Sequence, residues 1–284
     1  MEKDGNIRIN ANNVLLYYYM LRSIIAIGKL ITILTIILFL VLTSVIIYIT
    51  LNIINANSTP DKLIYPNHIA FIMDGNGRWA KKQNKERLYG HLHGSNHLED
   101  IFYNCFSNGC TYLTFYVFSE QNWKRPKEEV DNIFKIIYRK IKLLEENVKY
   151  RIMVQGRLDR IPKKLRKLLE KVIERTKHCE KTIIICLDYS GRTEIVNACK
   201  NIIDQKMEPT MDNFQKCLYV KDIPDPDLII RTSGEKRISD FLLWQLSYSE
   251  LYFTDVYWPD FTLKELEKAV AEYNKRHRRF GIGA

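Results

Sequence analysis

The first residues that could do chemistry form a glycine-rich loop with one carboxylate. The apolar run His68–Ile72 leads to Asp74-Gly75-Asn76-Gly77, and Arg78-Trp79-Ala80-Lys81-Lys82 follows. This order predicts a short buried strand, a tight loop and the start of a helix. Backbone amides in such a loop bind anions, so an aspartate there needs a divalent cation between itself and a phosphate. The loop therefore predicts a metal and diphosphate site, although both Asp-Gly and Asn-Gly pairs are also ordinary turn formers.

The elements that must position this loop alternate between strands and helices. After the loop we expect strands at about 112–118, 150–155, 182–187, 228–231 and 251–253, with helices at about 94–108, 127–149, 162–177, 193–204, 241–247 and 263–279. Continuous β-branched runs separated by helix-sized segments indicate an α/β fold, with a central parallel sheet of about six strands covered by helices on both faces. In such folds ligands bind beyond the carboxyl ends of the strands, where Asp74, Ser119–Arg125 and Arg231–Ser239 are expected.

The N-terminal part is apolar enough to enter a membrane. Residues 30–51 contain no charged side chain, and the apolar character extends over 24–54. This length can cross a bilayer core of about 30 Å as a helix, and it is roughly twice the apolar length of a signal peptide. We therefore expect an N-terminal tail (1–23), a transmembrane or membrane-anchoring segment (24–54), a linker (55–64) and a catalytic domain (65–284).

The orientation of the segment depends on two opposing signals. Arg22 and Lys29 precede the apolar run and Lys62 follows it, so the positive-inside rule would leave the N-terminus in the cytosol. The six cysteines are scattered without a Cys-x-x-Cys pair, which indicates neither a disulfide framework nor a zinc site and favours a reduced, cytosol-facing domain. We expect an N-out anchor or a re-entrant segment.

The formal net charge of +10 indicates an anionic partner. Nucleic acid, an acidic lipid surface and a phosphorylated substrate all satisfy this condition, and charge alone does not choose among them. The arginines fall at predicted strand ends and form no recognisable nucleic-acid reading motif, so no nucleic-acid partner is expected.

Four separate segments resemble one family. The string from His68 to Ala80 resembles the first signature of the cis-prenyltransferases, the undecaprenyl and dehydrodolichyl diphosphate synthases. The segments 118–126, 228–241 and 248–253 resemble further blocks of the same family, and the resemblance covers about residues 65–283. It implies an enzyme that condenses isopentenyl diphosphate onto an allylic diphosphate such as farnesyl diphosphate, giving a long-chain polyprenyl diphosphate.

The resemblance assigns roles residue by residue. It implies Mg²⁺ held by Asp74 and Glu250, with Asp74 and Asn122 as catalytic residues. It implies allylic diphosphate binding by Gly75, Asn76, Gly77, Arg78, Trp79, Arg87 and His91, a site lined by Ser119, Trp123 and Arg125, and isopentenyl diphosphate binding by Arg231, Arg237 and Ser239. Arginine forks suit diphosphate oxygens, and two carboxylates with phosphate oxygens suit Mg²⁺.

The C-terminal tail also matches the family pattern, whereas several internal positions depart from it. Arg279 and Gly281 resemble a tail that completes the partner's isopentenyl diphosphate site, which implies a homodimer. The family usually has glutamate where this chain has Gln121, while Glu120 stands one position earlier, so the role of this carboxylate is open. Asp188 and Arg157 also differ from the usual bacterial pattern.

Other classes of protein have different signatures. A trans-type prenyl synthase would carry Asp-Asp-x-x-Asp boxes, and a P-loop NTPase would carry Gly-x-x-x-x-Gly-Lys-Ser/Thr; neither motif occurs in the sequence. The remaining alternative is a non-catalytic membrane scaffold or accessory subunit of the same fold. If the chain is an enzyme, the resemblance implies that its product is the precursor of a dolichol-type carrier lipid. It also implies a location in the endoplasmic reticulum membrane, with the catalytic domain facing the cytosol.

Overall fold

The computed structural model describes residues 11–57 and 63–279, and the chain divides into two compact units, Met1–Lys62 and Leu63–Ala284. In the first unit a single helix, α1, spans Ala11–Asn57. Its stretch Tyr18–Thr50 has a mean hydropathy of 3.0 in its most apolar window, and none of that window is buried in the protein. At 1.5 Å per residue this stretch is roughly 50 Å long, enough to cross a bilayer.

Hydroxyl side chains along α1 bond to the helix itself. Thr32 donates to the Gly28 carbonyl at 2.9 Å, and Ser44 donates to the Leu40 carbonyl at 2.8 Å. Hydroxyls satisfied in this way can be placed in an apolar medium without an unpaired polar group. The helix is therefore a candidate membrane span by length, composition and polar satisfaction. Of the expected linker 55–64, residues 55–57 belong to α1 and residues 58–62 lie outside the described residues.

The second unit is built on one sheet. Its six strands are β1 (His68–Ile72), β2 (Tyr112–Ser119), β3 (Arg151–Gln155), β4 (Thr182–Tyr189), β5 (Leu228–Arg231) and β6 (Glu250–Phe253). Their order is β3-β4-β2-β1-β5-β6, and all neighbouring strands are parallel. The prediction of a six-stranded parallel sheet is confirmed, because apolar runs of this kind are stable only when both faces are covered.

Within residues 63–279, eight α-helices surround the sheet. They are α2 (Asn76–Lys82), α3 (Arg87–Gly94), α4 (Leu98–Ser107), α5 (Lys127–Glu146), α6 (Lys163–Thr176), α7 (Gly191–Asp204), α8 (Met211–Lys216) and α9 (Leu263–Asn274). The larger core joins Ile69 and Phe71 of β1 to buried side chains of α4, α5, α6 and α9. Ala70 and Ile72 face the other way and pack with Phe241, while α7 and α8 form a further cluster.

Three predicted helices differ from the observed ones. The helix expected over 94–108 is α4, which begins only at Leu98, while α3 lies before the predicted span and ends at Gly94. The helix expected at 241–247 was wrong, since only a 3-10 turn at Gln245–Tyr248 forms there. Ser239, Asp240 and Leu242 have φ of 50°, 64° and 47°, and this left-handed backbone is incompatible with an α-helix.

The last helix is shorter than the predicted 263–279. It ends at Asn274, whose side-chain amide donates to the Ile64 carbonyl at 2.7 Å and to the Val270 carbonyl at 2.9 Å. Arg276 and Arg278 then turn back to pair with Glu250 and Asp227. These contacts attach both ends of the second unit to its sheet.

Candidate functional site

Asp74 lies immediately beyond the carboxyl end of β1 and is fixed by its backbone. Its N–H donates to Thr232 Oγ1 at 2.9 Å, and its carbonyl accepts from the same hydroxyl at 2.7 Å and from the Trp258 N–H at 3.0 Å. The carboxylate Oδ1 accepts from the Gly75 N–H at 2.6 Å. The carboxylate is therefore held in place by two neighbouring loops, with 31% of its side chain exposed.

Two arginines face this carboxylate. Arg231, at the end of β5 and 4% exposed, donates to Asp74 Oδ2 at 2.9 Å, and Arg78 lies 3.3 Å from the same oxygen. Burial would raise the pKa of the Asp74 carboxyl, but the hydrogen bond and charge of Arg231, the charge of Arg78 and the Gly75 N–H together lower it below its ordinary value. Asp74 is therefore ionised at neutral pH.

The glycines of the loop permit close packing. Gly75 has φ of 101°, and a Cβ there would stand 2.5 Å from the Tyr257 ring. Gly90 of α3 brings that helix against the loop, since a Cβ at this position would lie 2.0 Å from the Asn76 carbonyl oxygen. Only glycine fits either position without displacing backbone or ring. Together the two residues place α2 and α3 against one side of Asp74.

Two arginines and a histidine surround a second carboxylate. Glu129, in the first turn of α5, has Oε2 at 3.2 Å from Arg87 Nε, and Oε1 at 3.2 Å from an Arg125 nitrogen and 3.8 Å from His91 Nε2. The pKa of His91 is lowered to about 4, first by burial and then by the charges of Arg125 and Arg87, against the opposing effect of Glu129. His91 is therefore neutral at physiological pH.

Both groups open onto one cavity of about 650 Å³. Its walls between α4, α5 and the sheet are mainly apolar, including Phe102, Phe115, Ile137 and Ile141, with Glu99 and Lys140 as charged members. Its polar end contains Asp74, Asn76, His91, Ser119, Asn122, Arg125, Arg231 and Ser239. An apolar chamber with a charged entrance suits a ligand with a hydrocarbon part and an anionic head.

Three buried polar atoms at this end have no hydrogen-bond partner among the described residues. They are Asn76 Oδ1, His91 Nε2 and Arg231 Nε. Buried polar atoms are nearly always paired in proteins, so unpaired ones that share a cavity indicate a polar ligand or water between them. The same atoms belong to residues that the sequence predicts as site residues.

The segment after β2 is held by a reciprocal cap. Asn122 Oδ1 accepts from the Ser119 N–H at 3.1 Å, and the Ser119 hydroxyl accepts from the Asn122 N–H. Gln121 lines the cavity, whereas Glu120 accepts from the Thr193 hydroxyl at 3.0 Å. The structure thus places Gln121, and not Glu120, among the residues that line the cavity.

Two tryptophans predicted to bind substrate do not line the cavity. Trp79 is buried, donates to Asp260 at 2.7 Å and stacks on His93 with ring centroids 4.6 Å apart. Trp123 donates to Asp188 Oδ1 at 2.8 Å. Both side chains instead hold segments that border the site.

Arg237 and Ser239 occupy the loop after β5. The Ser239 hydroxyl accepts from Arg231 at 2.7 Å, and the Arg237 carbonyl accepts from the same guanidinium. The Arg237 side chain is 61% exposed and pairs with Glu235, which also accepts from Arg78 at 2.8 Å. Arg231 therefore joins the two predicted diphosphate subsites through one side chain.

Glu250 does not join Asp74 within one chain. It begins β6 beside Leu228, whereas Asp74 follows Ile72, which aligns with Arg231 at the other end of β5. Leu228 and Arg231 are three residues apart, so the two ends of β5 are separated by about 10 Å. Glu250 pairs with Arg276 at 2.8 Å. The predicted two-carboxylate metal site is therefore not formed by a single copy. Arg279 is exposed, and Gly281 lies outside the described residues.

The side chains around Asp74 suit Mg²⁺ in one binding mode. No cluster of three or more His, Cys, Asp or Glu side chains is found in the part of the chain that the structure describes. Mg²⁺ usually keeps several waters and binds through one or two carboxylates together with substrate phosphates. The ionised Asp74, open to the cavity, fits that mode and could hold the ion only with a bound diphosphate.

Several site residues were missed from sequence. Thr232 and Ser233 fix Asp74 and Arg78, Tyr257 packs on Gly75, and Glu129 joins three predicted cations. Thr232 and Ser233 stand within a segment already singled out, and Glu129 is four residues after Arg125 on a predicted helix, which is a recognisable ion-pair spacing. The position of Tyr257 gives no such signal.

Fold and site together define an α/β protein that presents arginines and an ionised aspartate at the mouth of an apolar chamber. Comparison with known proteins identifies the class further. Residues 72–281 match the Prenyltransf family model, described for undecaprenyl diphosphate synthase.

Named relatives agree with that match. The isoprenyl transferase of Fusobacterium nucleatum is 51% identical over 221 residues, covering 76% of this chain and 96% of that protein. The isoprenyl transferase of Thermotoga maritima is 46% identical over 226 residues, covering 76% and 97%. The crystal structure of lavandulyl diphosphate synthase from Lavandula x intermedia, in complex with dimethylallyl diphosphate, aligns with a TM-score of 0.72 at 31% identity, covering 77% and 99%.

The chain therefore belongs to the cis-prenyltransferase family, the family of the undecaprenyl diphosphate synthases. It is an enzyme that transfers prenyl groups. The resemblance predicted from the sequence motifs is confirmed.

Proposed function

We propose that this enzyme condenses isopentenyl diphosphate onto an allylic diphosphate, farnesyl diphosphate or similar, and repeats the step to give a long-chain polyprenyl diphosphate. The observation that carries the proposal is the ionised Asp74, paired with Arg231 and Arg78, at the polar end of a 650 Å³ apolar cavity. The polar end suits a diphosphate, and the apolar walls suit a growing hydrocarbon chain.

The allylic diphosphate is assigned to the side of the loop and α3. The N–H groups of the Gly75–Gly77 loop, with Arg78, Arg87, His91 and Arg125, supply donors and positive charge there. Magnesium held by Asp74 would neutralise the departing diphosphate. The neighbour that was crystallised with dimethylallyl diphosphate supports an allylic substrate in a site of this architecture.

The isopentenyl diphosphate is assigned to Arg231, Arg237 and Ser239. In the condensation the allylic C–O bond breaks, a C–C bond forms and a proton leaves the isopentenyl unit. Asn122 is held by its cap with Ser119, so its amide can orient the group that accepts this proton. An amide is a poor base, which makes a water or the departing diphosphate the acceptor.

The assembly that we propose is a homodimer. The separation of Glu250 from Asp74 within one chain, together with the predicted tail at Arg279 and Gly281, supports a site completed by a second copy. Expression without any partner, followed by an activity assay, tests this: turnover supports the homodimer, whereas a folded but inactive protein indicates a missing accessory subunit.

The membrane setting and the product remain predictions. We propose that α1 anchors the enzyme to lipid with its catalytic domain in the cytosol. A dolichol-type precursor and the endoplasmic reticulum follow only from the resemblance, and the relatives named above are bacterial apart from the lavender enzyme.

The deciding experiment supplies both substrates. Detergent-solubilised protein is incubated with farnesyl diphosphate, labelled isopentenyl diphosphate and Mg²⁺, and product length is read by chromatography. We expect labelled polyprenyl diphosphates, and Asp74→Ala should abolish them while the protein stays folded. Absence of labelled product from the folded wild-type enzyme would exclude the proposal, and activity retained by Asp74→Ala would exclude the metal role of that residue.

A further inference from the structure

Glu129 is surrounded by basic side chains from outside its own helix. Its side chain is only 12% exposed, and both oxygens are occupied, Oε2 by Arg87 and Oε1 by Arg125 with His91 nearby. Arg87 and His91 belong to α3, Arg125 precedes α5, and Glu129 lies on α5. One carboxylate therefore joins two helices and the loop between β2 and α5.

An ordinary helix ion pair does not account for this arrangement. The Arg125–Glu129 pair alone has the i, i+4 spacing that stabilises an exposed helix by a few tenths of a kcal/mol. Here two further basic side chains, Arg87 and His91, contact Glu129 from another helix. His91 and Arg125 also line the cavity at its polar end. All three basic residues belong to the set assigned to the allylic diphosphate.

The three side chains would not stay together unaided. Arg87 is 55% exposed, it forms an ion pair with Glu129, and its charge repels that of Arg125. Two guanidinium groups held close without an anion are electrostatically unfavourable, and each long side chain loses entropy when it is fixed. The carboxylate offsets both costs before a substrate arrives.

We propose that Glu129 is the positioning residue of the allylic diphosphate subsite, holding Arg87, Arg125 and His91 in the arrangement that receives the diphosphate. The inference rests on the proposed function, because the ligand is the allylic substrate assigned there. An ordered set of donors binds more tightly than a mobile one, since the ordering cost is met beforehand. Glu129 acts through its partners and need not touch the substrate.

The test replaces Glu129 by its neutral isostere. We expect Glu129→Gln to raise KM for the allylic diphosphate about tenfold, which corresponds to about 1.4 kcal/mol, while KM for isopentenyl diphosphate changes less than twofold. The matched control is Glu128→Gln, because Glu128 is exposed in the same turn of α5. An unchanged or lower KM for the allylic substrate in Glu129→Gln would overturn the proposal, a lower value indicating that Glu129 competes with the diphosphate.

A double-mutant cycle separates positioning from general stability. If Glu129 acts by holding Arg87, then Glu129→Gln should add less than twofold to KM in an Arg87→Gln background. Additive effects in the cycle would indicate that Glu129 does not work through Arg87 and would contradict the proposal. A folded wild-type enzyme that makes no labelled product defeats the proposed function itself, whereas an active wild type with Glu129→Gln equal to Glu128→Gln defeats only this inference.

Discussion

At the scale of single residues, Asp74 and Arg231 depend on each other. Arg231 is 4% exposed, and Asp74 is the carboxylate that pairs with it in the described structure. Removing one member of such a pair leaves the other charge uncompensated. The pair thus combines a structural role with the proposed chemical one, and substitutions must be chosen to separate them.

Asp74→Asn makes that separation. The amide keeps the size and one acceptor for Arg231 but loses the charge that would hold Mg²⁺, so we expect kcat to fall at least 100-fold and Tm to fall by only a few degrees. Steady-state assays and thermal melts measure the two effects, with the exposed Asp204→Asn as control. Near-normal turnover in Asp74→Asn would show that the carboxylate charge is dispensable.

His68 determines a pH dependence of stability. It is 3% exposed, its Nδ1–H donates to the Pro224 carbonyl at 2.7 Å, and its Nε2 lies 2.8 Å from the Thr114 hydroxyl. The carbonyl can only accept, so Nδ1 carries the proton and Nε2 accepts from the hydroxyl. Burial is the main cause that lowers the pKa of His68 to about 4.

The sign follows from proton binding in the two states. Between pH 6.5 and 4 the unfolded chain binds a proton at His68 and the folded chain does not, so stability falls as pH falls through this window. We expect a loss of about 2 kcal/mol between pH 7 and pH 5 from this one group. Urea unfolding at both pH values measures it. His68→Gln should reduce the change in stability between the two pH values by that amount. The control is a substitution of the exposed His178, His178→Gln, which should leave this change as it is in the wild type. An equal change in stability in all three proteins would refute the assignment.

At the scale of elements, the approach of α3 to the Asp74 loop is the most restrictive contact. Gly90→Ala would place a methyl group 2.0 Å from the Asn76 carbonyl oxygen, so α3 must move away. We expect a loss of at least 2 kcal/mol in stability and a large rise in KM for the allylic substrate, because Arg87 and His91 move with the helix.

Gly109→Ala provides the comparison. Gly109 has φ of 108°, but nothing lies within 4 Å of its would-be Cβ, so only backbone strain of about 1 kcal/mol is expected. Chemical denaturation and kinetics of both variants test the argument. Equal stability losses with normal kinetics in Gly90→Ala would show that α3 is not rigidly positioned by this contact.

Much of the fold and part of the site could be predicted from sequence, for a physical reason. The strands are short, mostly apolar runs rich in β-branched and aromatic residues, and Asp74, Arg231 and Ser239 stand in short segments whose signal is local. The missed features are tertiary: Glu129 pairs with a helix distant in sequence, and Tyr257 packs on Gly75 from the opposite end of the domain. The turn at Ser239–Leu242 also escaped prediction, because non-glycine residues adopt positive φ there.

At the scale of the whole molecule, the cavity belongs to the second unit, which contains the proposed catalytic residues. Every cavity-lining residue lies within Leu63–Ala284, and the start of that unit is attached by Ile64, which accepts a side-chain hydrogen bond from Asn274 and donates one back at 2.9 Å. We expect the fragment 63–284 to fold without α1.

This expectation is tested by deleting residues 1–62. The fragment should stay in solution without detergent and retain kcat within about threefold for short products, because no described side chain of the first unit lines the cavity. The full chain in detergent is the control. A fragment that aggregates or loses turnover would mean that the N-terminal unit contributes to folding or catalysis.

The single guanidinium of Arg231 has a consequence for inherited variation. It donates hydrogen bonds to the carboxylate of Asp74, the hydroxyl of Ser239 and the backbone carbonyl of Arg237. The Arg237 acceptor is a backbone carbonyl and persists whatever side chain stands at that position, whereas a substitution at Asp74 or Ser239 changes an acceptor of a guanidinium that is 4% exposed. Inherited substitutions are therefore expected to be tolerated more readily at Arg237 than at Asp74, Ser239 or Arg231 itself, because a buried charge without its partner is destabilising.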